Sequence, residues 1–227
     1  MSVAIEVDRI VKTFGGPTAV DGVSFTVAPG EVFGVLGPSG AGKSTLFRML
    51  VTLLPPTAGS ASIDGLDVVA RAGDVRRAIG VVLQALASDP ELTVAEHVLV
   101  FARLHGLPRA SRAPRIAELL QAVELTPWAG TPVKALSAAV RRRVEIARAL
   151  VHGPKVLFLD EPTAGLDPAS RSAMWTMLQK LKAERGLTIL LTTPDPEEAR
   201  ALCDRVARLE HGRIVSPDVE SSLSLEP

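Results

Sequence analysis

Two short stretches carry the residue types that can do chemistry. The first, Gly37-Pro38-Ser39-Gly40-Ala41-Gly42-Lys43-Ser44-Thr45, matches the pattern G-x-x-x-x-G-K-[ST] in full. Its glycines let the backbone curl until successive N–H groups point inward at phosphate oxygens. The N-terminus of a following helix adds partial positive charge. Lys43 is placed to reach β- and γ-phosphates, and the Ser44 hydroxyl to ligate Mg²⁺. The second stretch, Val156-Leu157-Phe158-Leu159-Asp160-Glu161, is apolar and ends in two acids. A buried central strand of a parallel sheet puts such acids at its C-terminal edge, beside a phosphate loop. Asp160 is then the Mg²⁺ partner through water, and Glu161 the general base that polarises an attacking water. The lone cysteine, Cys203, reads as a small buried apolar residue and fits a reducing compartment.

These residues need elements to hold them. Short β-rich runs at 4–11, 19–27 and 31–36 are punctuated by Gly15-Gly16-Pro17 and Pro29-Gly30. A helix opens at Lys43, with Leu46, Phe47, Leu50 and Leu54 spaced for one buried face, and Pro55-Pro56 ends it. A β stretch over 61–69 and a strand at 80–83 follow. From about 93 to 153 the pattern is helical, with breaks at Gly106-Leu107-Pro108 and 128–132. Residues 85–150 therefore read as a helical subdomain inserted into an α/β core. Strands at 156–160 and 188–192 alternate with helices at 170–183 and 197–203, and short strands at 206–209 and 213–215 close a single domain, 1–215. Residues 216–227, rich in Ser, Pro and Glu, read as a loose tail.

Composition sets the outer bounds. With 227 residues, 47% hydrophobic and 22% charged, the chain suits one sizeable globular domain. Lys+Arg and Asp+Glu are both 25, which leaves no basic excess for nucleic acid. The first residues lack the basic head and apolar stretch of a signal peptide. Nowhere do roughly 18 apolar residues run together, so any work at a membrane is expected to be peripheral.

With the helical gap between its two motifs, the chain resembles the ATP-binding cassette (ABC) transporter family over residues 3–215. The resemblance implies a mixed, mainly parallel P-loop NTPase core with flanking helices, an N-terminal antiparallel β subdomain and an inserted α-helical subdomain. Gln84 matches the glutamine that touches Mg²⁺ and the nucleophilic water and relays movement to membrane subunits. Leu92-Thr93-Val94-Ala95-Glu96 is similar to the segment that follows it, and Gly165-Leu166-Asp167-Pro168 to the loop lining the interface of two cassettes. Phe14 stands where an aromatic ring stacks on adenine, with Val20 beside it. Residues 19–25 look most like bacterial cassettes of the drug-resistance and antibiotic-export branch. The family further implies ATP and Mg²⁺ as ligands, a second cassette and separate transmembrane permease subunits as partners, and a cytoplasmic position on the inner face of the membrane.

Two elements depart from the family pattern. Its Leu-Ser-Gly-Gly-Gln signature, which meets ATP bound on the opposite subunit, is here Leu136-Ser137-Ala138-Ala139-Val140. Ser137 can still cap the helix and offer its hydroxyl, but methyl groups at Ala138 and Ala139 restrict backbone freedom and close approach. Where the family carries a switch histidine, this chain reads Thr193-Pro194-Asp195, and none of its four histidines falls nearby. Asp195 is expected to repel phosphate. Weak hydrolysis with intact ATP binding follows, and a non-hydrolysing, ATP-dependent assembly module stands as the rival reading. Arg141-Arg142-Arg143 reads as a solvated helix face, and His97 and His105 as surface or packing residues.

Overall fold

The computed structural model describes residues 3–85 and 89–220. Strands β1 (Ile5–Thr13), β2 (Thr18–Val27), β4 (Ala58–Ile63) and β5 (Leu66–Asp67) form an antiparallel sheet in the order β2-β1-β4-β5. Strands β3 (Val32–Leu36), β6 (Ile79–Val82), β7 (Val156–Asp160), β8 (Thr188–Thr193), β9 (Arg205–Glu210) and β10 (Arg213–Glu220) form a second sheet, in the order β10-β9-β3-β8-β7-β6. All its pairings are parallel except the β9–β10 hairpin. This is the α/β, P-loop NTPase architecture that the resemblance implies.

The central strands are near-continuous apolar runs because both faces are covered; every residue of β7 and β8 is buried. Alternation sorts their side chains. Val156 and Phe158 face helix α1 (Lys43–Leu50) and the antiparallel sheet, whereas Leu157 and Leu159 face the opposite core. On the first side Phe47 meets Phe158 edge to face at 6.0 Å, and Phe25 of β2 stacks on Phe33 of β3 at 4.8 Å. The first pair fastens α1 to the central sheet, and the second fastens one sheet to the other. The second core takes in α3 (Val94–Leu104), α4 (Arg109–Ala122) and α5 (Ala138–Ala149), which lie between β6 and β7 in the chain, with α6 (Pro168–Arg185) and α7 (Pro196–Leu202).

Helix starts follow capping chemistry. Thr93 and Glu96 make a reciprocal capping box on α3, and Ser137 Oγ accepts from the Val140 amide at the head of α5. Asp167 caps α6, with Pro168 in its first turn and left-handed Gly186 at its end.

Four elements differ from the sequence reading, the first being α1, which ends at Leu50 and not at Pro55-Pro56, with Thr52 at positive φ just beyond it. Residues 61–69 are not one strand: Asp64 and Gly65, both at positive φ, turn β4 back as β5. A short helix α2 (Ala72–Ala78) stands where none was expected; Val75 is its sole buried residue, so there was no apolar period to read. Strand β10 pairs with β9 as far as Glu220, taking in residues 216–220 of the expected tail, and 221–227 lie outside the described residues. Among the described residues no helix is long and apolar enough to cross a membrane.

Candidate nucleotide site

The loop from 37 to 42 leaves β3 and enters α1. The Gly37 amide donates to the Thr193 carbonyl at 3.1 Å, which moors the loop to the end of β8. Gly42 caps α1 at φ 105, and a Cβ there would lie 2.3 Å from the Ala19 carbonyl oxygen. Only glycine fits that turn. Behind the loop, the Gly212 amide donates to the Ala41 carbonyl at 2.9 Å, and the Asp21 amide to the Gly212 carbonyl at 2.8 Å. Arg213 pairs with Asp21 at 2.6 Å beside this turn.

A cavity of about 300 Å³ opens over the loop, and Ser39, Gly40, Gly42, Lys43, Ser44, Thr45, Gln84 and Glu161 all line it. Lys43 is 4% exposed, and its Nζ donates to the carbonyls of Gly37 at 2.8 Å and Pro38 at 3.1 Å. The same ammonium lies 3.4 Å from Glu161 Oε1, while Gln84 Nε2 donates to Glu161 Oε2 at 3.1 Å. A buried cation needs such partners. Glu161 has φ 49, a left-handed turn that costs about 1–2 kcal/mol and takes the chain off the end of β7. Its amide donates to the Thr192 carbonyl at 3.1 Å. Asp160, 5% exposed, sits just before it and accepts from Thr192 Oγ1 at 2.5 Å.

The other expected site residues lie elsewhere. Gly37, Pro38 and Ala41 support the loop without lining the cavity; Ala41 is 3% exposed. Phe14 is 54% exposed, with Lys12 Nζ 5.4 Å from its ring centre. Val20 needs correction: it is 0% exposed, in the core, and Ala19 lines the cavity instead. Neighbouring strand residues face opposite ways, so a one-residue choice decides which side chain meets a ligand. Ser137 is exposed at the head of α5, outside the cavity lining.

Pro194 lines the cavity. Asp195 does not turn a bare charge on it: the carboxylate accepts from Arg171 at 2.7 Å and from the Glu197 amide at 2.8 Å, capping α7. The expectation of repulsion is corrected accordingly. Arg142 is likewise not on a solvated face. It is 5% exposed and donates to the Leu83 and Gln84 carbonyls, while Arg143 pairs with Glu124. His97 is buried and stacks on Phe101, with burial holding its pKa below the ordinary histidine value. His105 stacks on His152 at 3.8 Å; burial, helped by His105, lowers His152 to about 4. Burial raises the Cys203 thiol. Sequence reasoning missed Ala19, Thr192 and Arg142. A register shift at Gly22 reverses the alternation of β2, so parity counted back from Phe25 points to Val20 instead of Ala19; no local signal marks the other two.

A glycine-bent loop between a parallel strand and a helix, with its lysine beside the acid that follows β7, two strands along the sheet, defines a P-loop nucleotide-binding domain. Residues 20–164 match the family model described as ABC transporter. The Nod factor export ATP-binding protein I of Paraburkholderia xenovorans (strain LB400) is 46% identical over 220 residues, covering 97% of this chain and 72% of that protein. The structure of cbiO1 from Clostridium perfringens, part of the ABC transporter complex cbiONQ, has a TM-score of 0.90 at 30% identity, covering 97% of this chain and 90% of that one. The ATP-binding cassette MJ0796, seen as a post-hydrolysis dimer bound to ADP and Pi, has a TM-score of 0.83 at 30% identity, covering 96% and 98%. The chain belongs to the ABC transporter family, as an ATP-binding domain of its transport-coupled ATPases.

Proposed function

We propose that this chain is a slow-turnover ATPase cassette of an exporter, binding ATP with Mg²⁺ at the cavity over the loop and pairing with a second cassette and separate permease subunits at the inner face of the membrane. One observation carries the reading: Lys43 lies 3.4 Å from Glu161 and Gln84 3.1 Å from it, all three lining the cavity over the glycine-bent loop. Export is taken from the relatives named for Nod factor export, and it agrees with the resemblance of residues 19–25 to antibiotic-export cassettes. The cassette runs through β10 to Glu220, past the expected boundary at 215, with 85–150 as its helical subdomain.

Each residue's part follows from its place. The loop amides and Lys43 hold phosphate oxygens, with Lys43 exchanging its bonds to Gly37, Pro38 and Glu161 for stronger ones to a polyanion. Phe14 offers an exposed ring for adenine. Glu161, released from Lys43, accepts the proton of a water that Gln84 orients. The donors available for a divalent ion are all hard oxygens: the Ser44 hydroxyl, the side-chain Oε1 of Gln84 and Asp160, which Thr192 fixes through Oδ1. Among the described residues no cluster of three His, Cys, Asp or Glu could hold a metal unaided. A sparse oxygen set completed by phosphates suits Mg²⁺, which would neutralise charge on the transferring phosphoryl group.

Slow turnover follows from Pro194, Ala138, Ala139 and Val140. A proline has no donor for phosphate, and the methyl groups at the head of α5 hinder close approach. Losing contacts made mainly in the transition state lowers rate more than affinity. The same residues favour a second reading, in which ATP-driven closure is itself the signal. Measuring ATP affinity beside phosphate release for wild type, Lys43→Ala and Glu161→Gln tests both. Expected are Mg²⁺-dependent binding in wild type, its loss in Lys43→Ala, and binding without release in Glu161→Gln. A folded sample with no such affinity at millimolar ATP would sink the proposal, and wild-type release no faster than Glu161→Gln would leave the signalling module.

A further inference from the structure

Helix α5 buries two guanidinium groups, those of Arg142 and Arg148, and Arg142 is the one bonded to the backbone at Gln84. Arg142 is 5% exposed, and its two terminal nitrogens donate to consecutive backbone carbonyls, Leu83 O at 2.7 Å and Gln84 O at 2.8 Å. Beyond those carbonyls the Gln84 side chain reaches Glu161, and Glu161 reaches Lys43. Arg142 thus joins the helix that begins at Ser137 to the chain of groups above the phosphate loop. Burial disfavours its charge, and the fields of Glu145, Asp160 and Glu198 offset that cost. A rigid planar fork is the side chain that can hold two adjacent carbonyls at once, which a lysine does less well.

We propose that Arg142 is a positioning residue for ATP hydrolysis: it fixes the backbone at Leu83 and Gln84 so that the Gln84 amide is held at Glu161 and follows any displacement of α5. The inference rests on the ATPase reading and adds to it a residue outside the cavity. Its consequence is mechanical. A partner pressing on the head of α5 at Ser137 shifts Gln84 through one side chain, with no contact to nucleotide needed.

The experiment titrates Mg²⁺ against binding of a fluorescent ATP analogue to wild type, Arg142→Met, Arg142→Lys, Gln84→Ala and the double variant Arg142→Met/Gln84→Ala. If Arg142 acts through Gln84, affinity without metal changes by less than about twofold, and half-saturating Mg²⁺ rises about tenfold in Arg142→Met. The double variant then behaves like Gln84→Ala alone, because two groups in one chain of contacts are not additive. Arg142→Lys, which keeps the charge, shifts the Mg²⁺ requirement about threefold and decides the matter should Arg142→Met not fold. An unshifted titration in a folded Arg142 variant, or fully additive effects with Gln84→Ala, would overturn the inference alone. A wild-type chain that binds no ATP in Mg²⁺ would instead bring down the ATPase reading beneath it.

Discussion

Replacing Pro194 with histidine should speed ATP hydrolysis. Pro194 is exposed, lines the cavity that also holds Lys43 and Glu161, and follows Thr193, whose carbonyl moors the loop at 3.1 Å. A side chain added there enters open space beside the phosphate position. Asp195 keeps its bonds to Arg171 and the Glu197 amide, so the cap of α7 survives the change. One hydrogen bond to a charged group contributes about 1.5–3 kcal/mol, and if it forms mainly as charge develops on the transferring phosphoryl group, the rate rises about 10- to 150-fold. Losing the proline costs about 0.4–1 kcal/mol of stability through the unfolded chain. Phosphate release from Pro194→His at saturating MgATP, with nucleotide affinity measured in parallel, gives the comparison. Adding Ala138→Gly and Ala139→Gly should raise the rate again, since those positions act at the head of α5 and not at the end of β8. A folded Pro194→His protein with unchanged release would refute the reasoning, as would wild-type turnover already at about 1 s⁻¹ or faster.

Gly42→Ala should abolish tight ATP binding. Its Cβ would lie 2.3 Å from the Ala19 carbonyl oxygen at φ 105, a backbone-to-backbone clash that no rotamer relieves. The loop must distort, with affinity down about 100-fold and a lower melting temperature; affinity within threefold of wild type would show that the turn is not needed. The His105–His152 stack sets a pH dependence. With its folded pKa lowered to about 4, His152 takes up a proton more readily in the unfolded chain, so stability is present above pH 6.5 and lost as pH falls towards 4. The loss by pH 4.5 is about 2 kcal/mol. Urea unfolding at pH 7 and 4.5 should show that His152→Gln lacks this part of the slope, and equal slopes in both proteins would count against it.

The phosphate loop and acid pair were legible in the sequence because their chemistry demands fixed residue types at fixed local spacing. Leu157 and Phe158 could be read as buried, since a strand covered on both faces must be apolar throughout. What stayed hidden depends on orientation or distance. Val20 and Ala19 are adjacent and similar, and only the register of β2 against β1 decides which meets the cavity. Arg142 stands between two other arginines, yet it alone of the three is buried, because the carbonyls it serves lie nearly sixty residues away in the chain. Asp195 looked like an unpaired charge until folding brought Arg171 beside it. Pairings of this kind are products of tertiary packing, and no window of neighbouring residues contains them.

The turn at Gly212 has a consequence for how the protein is made. Its amide braces the rear of the anion-binding loop through Ala41, and a Cβ there would crowd the Ala19 carbonyl at 2.8 Å. The loop's own residues leave the ribosome well ahead of this support, which lies about 170 residues further along the chain. A nascent chain therefore exposes its phosphate-binding residues long before the hairpin that steadies them has been synthesised, and competence for nucleotide waits on that hairpin.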